Sequence, residues 1–350
     1  MVAVVAELGG AGTSTFRRID AAGCDGAMRD LGVSVRVPAP GRPDRDPGDV
    51  REATVPLRRL ADFDPDAVVG AIPGLALLRE ARAMAPEPLR RGGGAAAVLP
   101  PSPAAWQATV DRLLDAHVHA ILDHPRLRMV EAAWRGIDAL VRGVAGLPDV
   151  EVHVLDVPRA AVADGSGVAR AVAGLPGPVR ALVCGWDVGP EAADVAPLDA
   201  LGAAAAGAGV PCLAGATPAL VGVTAAGPAL DRLRRSPVAA HLALVVPRAL
   251  VRPWHDPATV AGFSFDEAAA PGATPFWGGS AFVAALALAG EARGDPRVVA
   301  WPGPLRLETA LDDTTTARLT AAGCLVLAPV PGAAALKMLG ARTLSGTPIA

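Results

Sequence analysis

Three histidines lie close together in the sequence and have the chemistry of metal ligands. They are His117, His119 and His124, and imidazole nitrogen is a common ligand of zinc. On a helix, residues two positions apart point about 200° away from each other, so His117 and His119 cannot converge on one ion. His124 also precedes Pro125, where a helix is expected to break. The spacing therefore predicts no metal site.

A glycine-rich stretch, VVAELGGAGTST, follows a candidate strand and invites comparison with dinucleotide-binding loops. Those loops carry the pattern GxGxxG, whose third glycine lets the following helix pack closely. Counted from Gly10, that third glycine would fall at Thr15. The pattern fails, so the stretch from Gly9 to Gly12 is predicted to be a glycine turn, and no cofactor is expected.

Other residues of catalytic type lie in structural contexts. Ser166 and Ser345 stand in turn-like sequences outside any GxSxG elbow. Cys184 and Cys212 end apolar strands and are expected to be buried small hydrophobes. In RLADFDPDAVV, Asp64 is predicted to cap a helix that begins at the following proline, since the glycine and distal glutamate of a calcium loop are missing. We therefore assign no catalytic residue.

Composition restricts the possible partners and compartment. The chain has 350 residues, a formal net charge of -3 and no block of lysine or arginine, which argues against nucleic acid or an anionic membrane as a main partner. Its 4 cysteines form no CxxC pair, as is typical of a reducing compartment. No secretory signal is visible, and prolines divide the uncharged run 200–230. These features predict a cytoplasmic protein without a membrane span.

The elements that must position any site alternate between strand and helix. Short β-branched runs separated by turn formers predict eight strands: VAVVAEL, VSVRV, ATVPLRRL, VEVHVLDV, RALVCGW, VPCLAGA, HLALVVP and CLVLAPV. Helical patterns fill much of the space between them, which predicts an α/β fold with mixed sheets flanked by helices. Proline and glycine cluster without periodicity in residues 84–105, the best candidate for a linker.

The most regular pattern in the chain is the segment DHPRLRMVEAAWRGIDALVRGV. Its apolar residues recur at helical spacing from Leu127 to Val144 and form one stripe with Trp134 in the middle. Beside the stripe runs a row of alternating charge, which we call the charged row: Arg128, Glu131, Arg135, Asp138 and Arg142. The row is either an exposed protein interface or a solvated face whose charges pair within the helix. Trp134 is expected to be buried.

This segment resembles part of the large (TssC-like) subunit of the type VI secretion contractile sheath, where a helix passes through a His-Pro break into a helix bearing a WRG motif. Further matches follow in the same order, among them VEVHVLDVPRAAV, ALVCGWDVG, VAGFSFDEA and FWGGSAFVAAL. Carried over by position, the pattern falls on Glu131, Trp134, Arg135, Gly136, Arg234, Ser236, Ala239, Pro247, Arg248, Arg252, Pro253, Phe263, Glu267, Trp277, Gly278 and Ala281.

The N-terminal region is similar to the small (TssB-like) subunit of the same sheath. The stretch ATVPLRRLADFDPDAVVGAIPGLALLREAR resembles that subunit's strand, DF.PD turn and following helix. The resemblance therefore predicts a fusion: a small-subunit-like region 1–83, the linker 84–105 and a large-subunit-like region 106–350. It also implies sheath-subunit-like lobes in one body, so that strands from residues 1–60 pair or pack with elements beyond residue 150.

The resemblance implies a structural protein that assembles around an inner tube and translocates it by contraction. Its expected partners are sheath subunits, either itself or full-length paralogues, the inner tube protein and the baseplate. From the resemblance we expect the arm that recruits the disassembly ATPase and the family's C-terminal region to be missing. The terminal strand VAVVAEL would be its one free strand-forming end. We accordingly expect a monomer or small oligomer that forms no long tubes alone.

Three functions remain open from the sequence. The first is a sheath-like structural subunit. The second is an accessory or capping component that binds the sheath or baseplate without polymerising. The third is an α/β enzyme that uses the glycine turn at Gly9 to Gly12.

Overall fold

The computed structural model describes residues 1–20, 23–40, 50–84, 102–147, 149–163, 166–222, 228–290 and 298–349. Its helices are α1 (Cys24–Leu31), α2 (Pro65–Ala71), α3 (Pro73–Ala83), α4 (Pro103–Leu122), α5 (Pro125–Val144), α6 (Arg159–Val162), α7 (Ser166–Ala173), α8 (Ala192–Ala208), α9 (Pro218–Val221), α10 (Pro228–Arg234), α11 (Ser280–Ala289) and α12 (Asp313–Ala321). Its strands are β1 (Val2–Ala6), β2 (Arg17–Ile19), β3 (Ser34–Pro40), β4 (Val50–Pro56), β5 (Val152–Asp156), β6 (Ala181–Val188), β7 (Cys212–Ala216), β8 (Leu242–Val246), β9 (Ala249–Leu250), β10 (Trp277–Gly278), β11 (Val298–Val299), β12 (Cys324–Pro329) and β13 (Leu336–Leu339).

Two compact units make up the described chain. The first unit comprises residues 1–31, 129–253 and 276–350, and the second comprises residues 32–128 and 254–275. The predicted linker 84–105 lies mostly outside the described residues, although α4 already begins at Pro103. The boundary between the units falls inside α5.

The first unit is built on a nine-stranded mixed sheet with the order β11-β13-β12-β8-β7-β6-β1-β5-β2. The six strands from β12 to β5 run parallel, and the outer strands β11, β13 and β2 pair antiparallel. The core parallel strands are buried on both faces because helices cover both sides. The predicted α/β fold with a mixed sheet flanked by helices is confirmed.

Strand β1 lies in the middle of this sheet. Val4 pairs with Val154 of β5 on one edge and with Val183 of β6 on the other. The expected pairing between residues 1–60 and elements beyond residue 150 is therefore confirmed. The expectation that VAVVAEL is a free strand-forming end is wrong, because both of its edges are occupied.

Each face of the sheet has its own helical layer. On one face, α7, α8, α10 and α12 bury side chains in one hydrophobic cluster with alternate residues of the strands. We call these helices the outer layer. On the opposite face, α11 packs on β6, β7 and β8, and all ten of its residues are buried. Such complete burial agrees with its uncharged sequence, SAFVAALALA.

The second unit contains an antiparallel ribbon of β3 and β4 together with α2, α3 and α4. Asp64 occupies the N-cap position of α2 with Pro65 at its first turn, as predicted. The segment 254–275 packs in the same unit. Ala261 N–H donates to the Asp66 carboxylate at 2.7 Å, and the ring centres of Phe265 and His119 lie 4.7 Å apart.

Candidate functional site

Helix α5 carries the most strongly patterned sequence, and its apolar stripe is buried as predicted. Leu127, Val130, Trp134, Ile137 and Val141 are all at most 3% exposed. The indole N–H of Trp134 donates to the backbone oxygen of Leu8 at 3.0 Å. This bond satisfies the polar end of a buried indole and ties α5 to the segment that follows β1.

Helix α5 approaches α11 very closely because two glycines face it. A Cβ atom at Gly136 would overlap the ring of Phe282, and one at Gly143 would overlap the side chain of Leu286. The close packing against α11 therefore explains why the WRG motif has a glycine at this position. Together the two glycines let a large apolar side chain from α11 sit against the α5 backbone.

Glu131 of the charged row is buried in the first unit, so the expectation of an exposed row is wrong at this residue. Its side chain is 0% exposed, and its Oε1 accepts from Arg135 Nε at 2.7 Å and from Arg252 Nε at 2.8 Å. The Arg252 guanidinium also lies 5.5 Å from the centre of the Phe276 ring. A buried carboxylate is tolerable only with such partners. Glu131, Arg135 and Arg252 are called the buried triad below.

The remaining charges of the row pair within their own neighbourhood. Arg142 Nη2 lies 2.6 Å from Asp138 Oδ2, one helical turn away, and Arg128 Nη1 lies 2.8 Å from Asp123 Oδ1. The side chain of Arg142 is half exposed, whereas that of Asp138 is largely covered. Pairing within the helix is thus present, and contact of this row with another protein stays a prediction.

A second charged cluster lies at the carboxyl end of β6. Arg248 binds Glu308 through two bonds, at 2.8 and 2.6 Å, and its Nη1 lies 3.9 Å from Asp187 Oδ2. The backbone N–H of Gly279, at the start of α11, also donates to Asp187. Burial nevertheless raises the pKa of Asp187 to about 6. Two carboxylates therefore share one arginine at this edge of the sheet.

The glycine turn after β1 is filled by a side chain of the protein itself. The buried carboxylate of Asp156 accepts from Leu8 N at 2.8 Å and from Gly12 N at 3.3 Å. A Cβ atom at Gly10 would lie only 2.5 Å from Asp156 Oδ2. Burial raises the pKa of Asp156, and these amide bonds oppose that rise. Amides that could bind a phosphate in other loops here hold an internal carboxylate.

The other residues carried over from the resemblance lie in several places. Arg234 is exposed at the end of α10, and Pro247 follows a cis peptide bond after β8. Trp277 and Gly278 form β10, which pairs with β9. In the second unit, the ring centres of Phe263 and Phe265 lie 6.0 Å apart, and the Glu267 carboxylate accepts from His255 N at 2.9 Å. The structure thus brings Glu131, Arg135 and Arg252 together and leaves Arg234 apart from them.

Metal and nucleophile chemistry gain no support from the described geometry. Within the ranges that the structure describes, no three histidine, cysteine or acidic side chains converge as metal ligands. Burial raises the pKa of the Cys184 thiol to about 12 and lowers the pKa of His117. Cys184 and Cys212 are buried in strands, as predicted.

The partners of these charges are not predictable from sequence spacing. Arg252 and Glu131 are separated by 121 positions, and Arg248 and Glu308 by 60. The only available hint was an isolated arginine or acid inside an otherwise apolar stretch such as VVPRALVRPW. Such a residue needs a partner when it is buried, but the sequence does not say which one.

Residues 105–173 match the VipB family model, described as the EvpB/VC_A0108 tail sheath N-terminal domain. The matched segment extends from α4 to α7 and includes the patterned helix α5. This match supports a sheath-like protein of the type VI secretion system. No curated protein matches the chain. Among the described helices, none is both long enough and apolar enough to cross a membrane.

Proposed function

We propose that this chain is a structural subunit that resembles the contractile sheath of a type VI secretion system, assembles around an inner tube and takes part in contraction. The observation that carries the proposal is the match of residues 105–173 to the tail sheath N-terminal domain. The packing of the matched segment supports it. Trp134, Gly136 and Glu131 are each held in place by tertiary contacts, so α5 is a rigid element on which a lattice contact can depend.

The proposal includes a fusion of small-subunit-like and large-subunit-like regions. Its support is the central position of β1, which is hydrogen-bonded to β5 and β6 over the same residues. A strand supplied by the N-terminal region completes the sheet of the later region, as a fused small subunit would. A chain divided in this way would need both parts before the sheet could form.

Under this proposal the partners are other sheath subunits, the inner tube protein and, at one end, the baseplate, all in the cytoplasm. We propose no catalytic role and no cofactor. The amides of the glycine turn are engaged by Asp156, which leaves the enzyme alternative without a phosphate-binding loop there. The resemblance gives no support for recruitment of a disassembly ATPase.

The test is incorporation into a sheath. The tagged chain is expressed in a bacterium with an active type VI system, sheaths are sedimented, and the tag is located by immunogold electron microscopy. Labelling along the whole tube is the expected result. Labelling only at tube ends would favour a capping component instead, and absence of the tag from sedimented sheaths would overturn both functions.

The charged row can be tested in the same experiment with a charge swap. Asp138→Arg combined with Arg142→Asp keeps an opposite-charge pair one helical turn apart but exchanges the two signs on the surface. If the row contacts a neighbouring subunit, incorporation should fall while the isolated protein keeps its stability. Equal incorporation of the swapped variant would show that the pair acts only within α5.

A further inference from the structure

A cavity of about 440 Å³ lies at the amino end of the parallel strands in the first unit. The ends of α8 and α11 and the segment 343–349 contribute to its lining. A volume of this size is typical of pockets that hold small organic molecules. We call it the amino-end cavity. Its other lining residues come directly before three neighbouring strands: Val179 and Arg180 before β6, Val210 and Pro211 before β7, and Ala240 and His241 before β8.

Most of the lining of the amino-end cavity is apolar. Val210, Leu288 and Ile349 are buried residues of this lining. Pro211 and Pro348 also line the cavity. A hydrocarbon group that enters the cavity therefore exchanges water for apolar side chains, which is favourable.

A guanidinium in the lining has no counter-ion among the described residues. Arg180 is exposed and makes no side-chain ion pair or hydrogen bond within the described ranges, and no acidic residue lines the cavity there. Arg180 and Glu151 both lie close enough to the Met1 amine to act on it electrostatically. Glu151, however, is paired with Arg18 at 3.1 Å and with His153 at 3.0 Å. The carbonyl ends of α8 and α11 carry weaker partial charges, part of which the following backbone N–H groups satisfy.

A buried hydroxyl of the lining lacks an ordinary hydrogen bond. Thr343 is 2% exposed, and its hydroxyl lies 3.4 Å from the Ser345 hydroxyl and 3.4 Å from the Thr347 backbone oxygen. Both distances exceed the usual range of O–H···O hydrogen bonds. The hydroxyl of Thr343 can therefore donate to an oxygen atom that enters the cavity.

We propose that the amino-end cavity binds a small organic carboxylate that carries an apolar chain. Arg180 and the hydroxyl of Thr343 bind the carboxylate oxygens, and the chain lies against Val210, Leu288 and Ile349. A guanidinium matches the planar carboxylate with paired N–H groups. One guanidinium also balances one negative charge, whereas a phosphate dianion keeps an uncompensated charge. The inference goes beyond the proposed sheath function and does not depend on it.

The test is a titration of the purified chain at pH 7, followed by proton NMR of the His241 imidazole. This residue lines the cavity, and its resonances are identified by their loss in His241→Gln. Sodium hexanoate should shift them with a Kd of about 1 mM, as expected for a ligand of this size. Hexan-1-ol has the same chain without the charge and should bind about tenfold more weakly or less. Inorganic phosphate should cause no saturable shift.

Variants identify the groups that bind the carboxylate. Arg180→Gln should weaken hexanoate binding by about tenfold and leave hexanol binding unchanged. Thr343→Val keeps the shape of the side chain and should weaken hexanoate binding by about threefold. Arg170→Gln is the matched control, because Arg170 is an exposed arginine that lines a different cavity, together with Asp156. This control should bind hexanoate like the wild type.

Thermal melts establish that each variant is folded. The proposal would be overturned if hexanoate leaves the His241 resonances unshifted, or if hexanol or phosphate binds as tightly as hexanoate. Folded Arg180→Gln or Thr343→Val that binds hexanoate like the wild type would also overturn it. The sheath proposal is judged separately by incorporation into sheaths.

Discussion

The indole N–H of Trp134 on α5 donates to the carbonyl oxygen of Leu8, which lies 126 positions earlier in the chain. Leu8 follows the central strand β1, and its own N–H donates to Asp156 at the end of β5. Leu8 therefore accepts a hydrogen bond from the matched helix α5 and donates one to Asp156 of the neighbouring strand β5. The most regular part of the sequence is in this way anchored to the middle of the sheet.

The first prediction concerns Trp134, whose side chain is 0% exposed. Trp134→Ala should lower the free energy of unfolding by about 3 to 5 kcal/mol, because it leaves a cavity and removes the bond to Leu8. Trp134→Phe keeps much of the volume and should cost less, about 1 to 3 kcal/mol, mainly from the unpaired carbonyl. Urea denaturation measures both. A Trp134→Phe variant as stable as the wild type would contradict a contribution from the hydrogen bond, and equal costs for the two variants would contradict a contribution from the cavity.

The second prediction compares two glycines within helices. Gly136→Ala should destabilise the protein by about 1 to 3 kcal/mol, since its methyl group would collide with Phe282. Gly207→Ala in α8 meets no atom within 4 Å and should stabilise by about 0.5 to 1 kcal/mol. Thermal melts of both variants give the comparison. Stabilisation by Gly136→Ala would mean that α5 and α11 can move apart at no cost.

The third prediction concerns the buried triad. Glu131→Ala should cost about 3 to 5 kcal/mol, because it leaves Arg252 buried without its carboxylate. Glu131→Met combined with Arg252→Met replaces the pair by apolar groups and should cost clearly less than Glu131→Ala. The comparison is made by urea denaturation at one pH. A double variant as unstable as Glu131→Ala would contradict the idea that the cost of Glu131→Ala comes from leaving Arg252 buried without its carboxylate.

The fourth prediction is a pH dependence centred on Asp187. Because burial raises its pKa to about 6, the folded state holds this proton more tightly than the unfolded chain, and its contribution to stability falls as the pH rises from about 4 to 6. Asp187→Asn removes that loss. The stability of this variant relative to the wild type should increase by about 1 to 3 kcal/mol between pH 4 and pH 7. If the difference in stability between Asp187→Asn and the wild type does not change with pH, the pKa of Asp187 is not raised by folding.

The sequence predicted the parts of the fold that depend on local pattern. All eight predicted strands are present, and α5 buries the stripe around Trp134, because side-chain periodicity alone decides which face is apolar. Strands β2, β9, β10, β11 and β13 were missed. They contain two to four residues each, and they exist because a neighbouring strand offers hydrogen bonds.

The candidate site was less predictable than the fold. Glu131 was placed in a row of exposed charges because its spacing fits the row, yet its position is decided by Arg252, a residue far away in the chain. The cluster of Asp187, Arg248 and Glu308 likewise joins strand β6 to two connecting segments far away in the chain. Helical spacing reports neighbours within a helix and contains no information on such distant partners.

The central place of β1 also means that its hydrogen-bonding partners are synthesised long after β1 itself. Its hydrogen-bonding partners, β5 and β6, begin at residues 152 and 181. At the usual rate of translation, about 5 to 20 residues per second, roughly 10 to 35 seconds pass between synthesis of β1 and that of β6. Until β5 is made, the nascent chain carries VAVVA, an uncharged β-branched strand, with both edges unpaired, and one edge still lacks its partner until β6 follows. The order of strands in the finished sheet therefore leaves the N-terminal strand without its partners until the middle of the chain has been made.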